Sequence, residues 1–479
     1  MLQPEYRQRP YLLMTPVEWF VIVGATILGT ALFALCWPDA GLWVVLGVGL
    51  TLVVVGHMCM TAGRHVAFPD LVALASCLQW IVAPWLADLY PPRLPIFRMA
   101  LPLDEYLQYA VPATAALYAG MYLPVQVMLR RGWTDNERRP LSRPIQIVLD
   151  LLIAGGLIID AYSNGAPVQW AFLVYLVASF RFFGALGWMV TRTPGWRLRV
   201  TLVMFELLAM QSTGGLFYLV IHWSGYFLLV YAFMRGWRWQ LAPVLLVGVL
   251  GLGLLQDVKP TFRQSLAQEE VSGPIQSVEK LASLMWARLQ GEEITTTQAE
   301  FGDRLVRFNQ GWIIARVMAH VPKEEPYARG ETLADAVVFS IVPRFLVPNK
   351  KEGASSEMFE RFTGADLINN TKMGLGLIGE LYANFGSWGG IAAAFCYGLL
   401  IGYLFTLFAS RAAVNPLWWA AAATILLPSV EPGFNIEDIL NHVVKATVVF
   451  VVVWKAVPAM RRLLETDGDP WGVREVESW

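Results

Sequence analysis

The feature that most constrains this chain is a series of long apolar segments in which charged residues are almost absent. Each segment runs for roughly 17 to 22 residues, the length that a helix needs to cross a bilayer. Hydrophobic residues occupy 56% of the 479 positions and charged residues 15%. A water-soluble chain of this size cannot bury so much apolar surface. The sequence therefore predicts an all-α, polytopic integral membrane protein.

The apolar segments divide the chain into two membrane regions. About twelve spans are predicted, at 17–37, 41–60, 67–87, 107–129, 146–162, 170–189, 199–212, 216–234, 241–256, 388–409, 416–431 and 442–458. The seventh and eighth follow each other so closely that one bent element is an alternative. The predicted regions are 1–256 with about nine spans, a loop domain at 257–387, three spans in 388–458, and a tail at 459–479.

The distribution of arginine predicts how the chain is oriented, because loops on the cytoplasmic side carry an excess of Lys and Arg. One set of connections holds Arg64, Arg130, Arg131, Arg138, Arg139, Arg143, Arg192, Arg197, Arg199, Arg235, Arg238 and Arg411. The short connections on the opposite side hold only Arg93 and Arg98. Both termini are therefore expected in the cytoplasm, and the 257–387 domain is expected on the outer, periplasmic side.

The remaining composition narrows the chemistry. All four cysteines, Cys36, Cys59, Cys77 and Cys396, fall in predicted spans. The outer domain is therefore expected to hold neither a disulfide nor a thiolate metal site. A net charge of −1 gives no reason to propose a nucleic-acid partner.

The outer domain is predicted to be small, helical and pressed against the membrane. Helices are expected over 273–293, over 301–320 until Pro322 and Pro326 end it, and from Glu331 up to Pro343. Residues 345–372 are rich in Gly, Asn, Ser and Thr and are expected to form a loop.

Arginines set among apolar and turn residues are the candidate binding groups of this domain. Lys and Arg number fourteen between 257 and 387 and Asp and Glu seventeen, so the surface is not generally cationic. A guanidinium is a planar fork of donors with a permanent charge, which suits a diphosphate or an acidic sugar. The candidates are Arg304, Arg307, Arg316, Arg329 and Arg344, with Lys350 and Lys351 as point charges. The alternative is that they pair with Asp303, Glu324, Glu325 or Glu331.

Two runs carry a resemblance to a known family. RGETLADAVVFSIVPRFLVPNKKEG, followed by GLIGELYANFGSWGG, resembles the outer-loop pattern of bacterial Wzy-type oligosaccharide repeat unit polymerases, which act in O-antigen and exopolysaccharide assembly. The likeness covers residues 327–390, and the rest of the chain only through topology.

The resemblance implies a metal-independent, GT-C-like glycosyltransferase of the bacterial inner membrane that uses no nucleotide sugar. Its substrates would be undecaprenyl-diphosphate-linked oligosaccharides, and a chain-length regulator is an implied partner. Fixed cations would stabilise the leaving diphosphate, and the candidates are Arg344, Arg316, Arg329 and Lys350. The proton acceptor would be Glu380 or His320, which lies one helical turn after Arg316.

Arg181 is a charge inside a predicted span, where such residues are costly. Either it forms an ion pair with Glu206 or Asp150, or it faces a cavity that receives the lipid diphosphate.

Other functions stay open. An O-antigen ligase would usually carry a histidine near the region where this chain has Asn370 and Thr371. A flippase or other transporter would distribute charge along a cavity in the spans. A metal-dependent transferase would need an acidic pair in the first outer loop, which offers only Asp39. A structural partner of an export complex is also consistent.

Overall fold

The computed structural model describes residues 14–128, 141–163, 167–214, 217–268, 273–291, 301–342, 354–367, 373–412 and 414–464, and in these ranges the chain is helical with no β-strand. The α-helices are α1 (Pro16–Cys36), α2 (Leu42–Thr61), α3 (Phe68–Cys77), α4 (Ala83–Leu89), α5 (Leu103–Met128), α6 (Arg143–Tyr162), α7 (Val168–Ala178), α8 (Phe180–Val190), α9 (Trp196–Thr213), α10 (Tyr218–Arg235), α11 (Leu241–Ala267), α12 (Pro274–Leu289), α13 (Phe301–Leu305), α14 (Gly311–His320), α15 (Glu331–Ile341), α16 (Ala354–Thr363), α17 (Leu377–Ala412), α18 (Trp418–Leu426), α19 (Ile436–Ala456) and α20 (Pro458–Leu464).

Seven helical segments within the described ranges are long and apolar enough to cross a membrane, judged by length and composition. They are Pro16–Cys36, Leu42–Thr61, Phe68–Leu89, Arg143–Tyr162, Trp170–Val190, Leu241–Ala267 and Leu377–Ala412. A shorter apolar segment covers Trp418–Val430. The fold is thus that expected of a helical, multi-pass membrane protein.

Several predicted spans contain breaks that the hydropathy pattern does not show. A π-helical turn at Leu78–Val82 joins α3 to α4, and α7 and α8 meet at Ser179. The seventh and eighth predicted spans are two separate helices, α9 and α10. Helix α11 continues past residue 256, so the predicted start of the outer domain falls inside a helix.

The outer domain confirms one predicted helix and corrects two predictions. Helix α12 confirms the helix expected over 273–293. The single helix expected over 301–320 is wrong, because the chain forms α13 and α14 with a turn between them. At that turn the backbone N–H of Gln310 donates to the Gln79 carbonyl instead of continuing the helix. The loop expected over 345–372 is wrong over α16, whose Phe359 and Phe362 are buried.

The centre of the molecule is the pair α5 and α17, which pack backbone against backbone. A Cβ built on Gly120 would lie 2.3 Å from the Phe395 carbonyl oxygen, and one on Gly398 would lie 2.3 Å from the Leu117 carbonyl oxygen. Such close approach needs glycine, as at many helix contacts in membranes. This pair holds the start of α17 in a fixed position.

Candidate functional site

The site begins at a break in α17, at Gly386. Its backbone has φ 69° and ψ −164°, a conformation that L-residues other than glycine rarely adopt. A side chain there would also contact the ring of Tyr327 at 3.0 to 3.3 Å. The break separates a short helix, Leu377–Phe385, from the long segment that follows. We call Leu377–Phe385 the entry helix; it carries Glu380 and Asn384.

A turn of the outer domain is hydrogen-bonded to the end of the entry helix. The N–H of Ala328 donates to the Ala383 carbonyl at 3.0 Å, and the N–H of Arg329 donates to the Asn384 carbonyl at 3.1 Å. The N–H of Gly330 donates to Asn384 Oδ1 at 2.9 Å. Arg329 has φ 51° and Gly330 has φ 93°. A non-glycine residue in this left-handed region is strained, and such strain concentrates at functional sites.

The Glu380 carboxylate joins three elements. Its Oε1 accepts from the Thr332 hydroxyl at 2.7 Å, at the start of α15. Its Oε2 accepts from the backbone N–H of Ile436 at 2.7 Å, at the first turn of α19. A carboxylate is favoured there, because the unpaired N–H groups of a helix start carry partial positive charge. Glu380 therefore ties the entry helix to α15 and α19.

Asn384 completes this network. Its Nδ2 donates to the Thr332 hydroxyl oxygen and to the Glu380 carbonyl, both at 2.8 Å. Glu380 and Asn384 are each only 1% exposed. The sequence indicated Glu380 and Asn384 through their alternate spacing with Tyr382, but it gave no sign of Thr332 or of the start of α19.

This geometry favours a positioning role for Glu380 over direct proton transfer. Both of its oxygens already accept hydrogen bonds, and the side chain is sealed from solvent. A proton acceptor must come within hydrogen-bond reach of the substrate hydroxyl. The ion pair with a loop arginine that was the alternative for Glu380 is replaced by bonds to Thr332 and Ile436.

Arg316 and His320 lie on α14, which packs against the entry helix. A Cβ on Gly379 would lie 3.3 Å from the Ile314 side chain. Arg316 Nη2 donates to the Ile96 carbonyl at 3.1 Å, and its Nε is buried without a hydrogen-bond partner among the described residues. The His320 ring lies against Gly364, within 2.8 Å of a Cβ built there, and is half-buried.

The other proposed diphosphate ligands are placed unevenly. Arg329 is exposed at its strained turn, with its backbone held by Asn384. Arg344 and Lys350 lie outside the described residues, as do Asn370 and Thr371.

Arg181 contacts carboxylates. Its Nε lies 3.0 Å from Glu206 Oε2, and its Nη2 lies 3.2 Å from Asp160 Oδ2. Its Nη1 donates to the Ala178 carbonyl at 3.0 Å. Asp150, the other partner considered from the sequence, is instead bound by both Arg199 Nε and Nη2. The ion-pair interpretation of Arg181 is the one that this geometry favours.

Two of the acidic residues considered as partners of the loop arginines bind a different arginine. Arg361 contacts Glu331 at 3.2 Å and also Glu325. Hydrogen bonds from these carboxylates, that of Glu331 foremost, raise the pKa of Arg361 above its usual value. Asp303 accepts from the backbone N–H of Arg93 at 2.8 Å.

The sequence gave no sign of a second polar group beside the site. His222 Nε2 lies 3.2 Å from Glu431 Oε2, and its Nδ1 lies 2.7 Å from the Tyr218 carbonyl. Glu431 Oε1 also accepts from Gln79 Nε2 at 3.4 Å and from the Gly433 N–H at 3.2 Å. His222 and Glu431 are too far apart in sequence for a spacing pattern to link them.

Metal sites and relatives were sought once this geometry was known. Within the described ranges, no group of three or more His, Cys, Asp or Glu side chains is placed to hold a metal ion. The fold and the apolar helices define the class, a helical multi-pass membrane protein. Beyond that class, no protein-family model matches the chain, and no curated protein or solved structure matches it.

Proposed function

We propose that this chain is a membrane-embedded glycosyltransferase that polymerises undecaprenyl-diphosphate-linked oligosaccharide repeat units on the outer face of the bacterial inner membrane. The observation that carries the proposal is the meeting of the two runs that resemble Wzy-type polymerases. Residues 328–332 of the first run bind Glu380, Ala383 and Asn384 of the second. Residues that only share a sequence pattern need not touch, so their contact supports a common role.

The proposed topology has twelve spans with both termini in the cytoplasm, and it rests on the arginine asymmetry. The seven apolar helical segments support a multi-pass arrangement. In this topology α11 carries the chain out of the bilayer and α17 carries it back in. The entry helix then lies at the outer surface, where two lipid-linked substrates can meet.

The proposed reaction is attack by a hydroxyl oxygen of one glycan on the anomeric carbon of another. The bond from that carbon to the diphosphate breaks, and the diphosphate leaves with the electron pair. Arg329 and Arg316, with Arg344 and Lys350, would bind the leaving group. The hydroxyl proton would pass to His320, which a substrate can approach, while Glu380 would hold the Arg329 turn in place. Glu380 is the other candidate for the proton acceptor.

The test is polysaccharide length in a deletion strain complemented with variants of this protein. We expect the wild type to restore long chains and Arg329→Lys or Arg344→Lys to leave single repeat units, because a point charge cannot replace a planar fork. Arg197→Lys is the matched control, since Arg197 is exposed and stacks on Trp196 away from the site. Immunoblots of membranes verify equal protein levels.

The same strain separates the alternatives. Long chains that persist in the deletion strain contradict a polymerase. Long chains that remain on the lipid carrier without transfer to their final acceptor identify a ligase. Lipid-linked repeats that stay on the inner face identify a transporter.

A transporter of lipid-linked glycans is the second candidate, and charges buried between the spans favour it. Asp70 is fully buried and accepts from His57 Nδ1 at 2.8 Å and Tyr118 at 2.6 Å, and also from Tyr122. Ionisable groups at such positions often mark substrate or proton pathways. All of these partners satisfy Asp70 structurally, so we rank this function second.

A further inference from the structure

A second cluster of cations lies where α11 leaves its apolar segment. Lys259 and Arg263 are one turn apart on α11 and therefore share a face. Arg307 is close enough to both for their charges to repel. Lys259 Nζ lies 5.7 Å from the ring centre of Phe217, which forms an aromatic floor beneath it. We call Lys259, Arg263 and Arg307 the α11 cluster.

The carboxylate next to the α11 cluster is already shared by two other guanidinium groups. Asp257 Oδ1 lies 2.6 Å from Arg304 Nη1, and Asp257 Oδ2 lies 3.3 Å from Arg288 Nε. These contacts anchor α12 and α13 to α11, and they bring Arg307, three residues after Arg304, to its place. The six residues joined in this way comprise five cations and one anion.

Concentrating like charges at a half-buried position is unfavourable, because their repulsion is only partly screened there. On the outer side of a membrane it is also contrary to the general distribution of Lys and Arg. An anionic ligand would remove this cost.

The surface beside the α11 cluster is suited to a lipid chain. Helix α11 packs mainly against α12, and its apolar part is open to the bilayer, with Val247 68% and Leu250 65% exposed. A Cβ added at Gly248 or Gly251 would meet nothing within 4 Å. Leu250 precedes Lys259 by nine residues, or about 14 Å along the helix. A headgroup at the α11 cluster can therefore lie directly above acyl or prenyl chains on the same helix.

We propose that the α11 cluster binds the phosphate of a lipid headgroup, with Lys259, Arg263 and Arg307 as its ligands. The inference rests on the proposed function in one respect, the placement of residues 257–387 on the outer side. The phosphate has two sources, an anionic phospholipid or the diphosphate of a polyprenyl-linked glycan. In the second case the α11 cluster is a lipid-carrier site separate from the entry helix.

The test is native mass spectrometry of the detergent-solubilised, full-length protein with three probes: phosphatidylcholine, phosphatidylglycerol and geranylgeranyl diphosphate. The variant is Lys259→Gln with Arg307→Gln, and the matched control is Arg197→Gln with Arg235→Gln. The control also removes two exposed cations that lie over aromatic rings. Loss of two charge-assisted hydrogen bonds should weaken binding of a phosphate lipid by about tenfold or more, with phosphatidylcholine unaffected.

The outcomes decide both the site and its occupant. An equal loss for phosphatidylglycerol and the diphosphate identifies ordinary phospholipid as a sufficient ligand, and a loss confined to the diphosphate identifies the carrier. The proposal is overturned if the variant binds as the wild type does, or if the control loses as much. Lys259→Arg with Arg307→Lys keeps both charges and should still bind, and Arg307→Gln alone, at an exposed position, serves if the double variant does not fold. A wild type that binds the diphosphate in a strain whose polymer does not depend on this protein would contradict only the polymerase.

Discussion

The hydroxyl of Thr332 donates to Oε1 of Glu380 over 2.7 Å, although the two residues are 48 positions apart in the sequence. The same hydroxyl oxygen accepts from Asn384 Nδ2 at 2.8 Å. One small side chain thus satisfies two buried polar groups. The strained Arg329 turn is held in place by the helix that this hydroxyl secures.

Replacing Thr332 with valine should destabilise the protein. Valine has nearly the same shape but leaves Glu380 and Asn384 each without a partner, at a cost of roughly 1–3 kcal/mol. Thr332→Ser keeps the hydroxyl and should lose less than about 1 kcal/mol. Unfolding of the purified protein in detergent measures both, and equal stability of the two variants would contradict the role given to this hydroxyl.

The variant Glu380→Gln separates positioning from proton transfer. Removing a general base lowers a rate by about 100-fold or more at unchanged stability. We expect a smaller loss of polymer formation that parallels the loss of stability, because an amide can still accept from Ile436. The measurement is the initial rate of chain extension in membranes with equal amounts of protein. A loss above 100-fold in a fully stable variant would identify Glu380 as the proton acceptor.

The variant Gly386→Ala tests the break in α17. Its backbone conformation and the contact with Tyr327 both oppose a side chain, so we expect a loss of roughly 1–3 kcal/mol. Gly253→Ala is the matched control, because a Cβ there meets nothing within 4 Å and its helix has no break. Thermal unfolding should place Gly386→Ala clearly below both the wild type and the control. Similar melting of the two variants would show that the break is not required.

Arg181→Met should be among the most damaging single changes within the spans. It leaves Asp160 and Glu206 facing each other without a cation, and breaking a buried pair in this way costs about 3–5 kcal/mol. Adding Asp160→Asn and Glu206→Gln should restore much of the stability. Arg199→Met is the comparison, since its partner Asp150 is 43% exposed and such pairs contribute about 1 kcal/mol or less. Rescue by the triple variant is the decisive observation.

A double-mutant cycle on His222 and Glu431 tests whether they act as a pair. The two side chains lie 3.2 Å apart and are only 12% and 18% exposed. Changing each to Gln, singly and together, should give a coupling energy of roughly 0.5–3 kcal/mol. Additive effects would show that Glu431 relies on Gln79 and Gly433 instead.

The sequence was sufficient for the helices but not for the site. Apolar runs determine where α1, α2 and α11 form, because the same residues must face lipid. The break between α13 and α14 was missed, since it depends on a hydrogen bond from Gln310 to the distant Gln79.

The site shows the same limit. The sequence indicated Glu380 and Asn384 from a glycine-rich run beside a span, yet their partners Thr332 and Ile436 lie 48 and 56 residues from Glu380. Contacts over such separations are set by tertiary packing and leave no periodic signal. Arg181 was recognised as costly for the same physical reason that now explains its two carboxylates.

The close contact of α5 with α17 has a mechanical consequence. Gly120 and Gly398 lie against the carbonyls of the opposite helix, so neither helix can slide or rotate without a clash. This pair acts as a stator. Any movement during a working cycle must then come from elements that pack loosely on it, such as α11, while the entry helix keeps a constant height relative to the lipid surface.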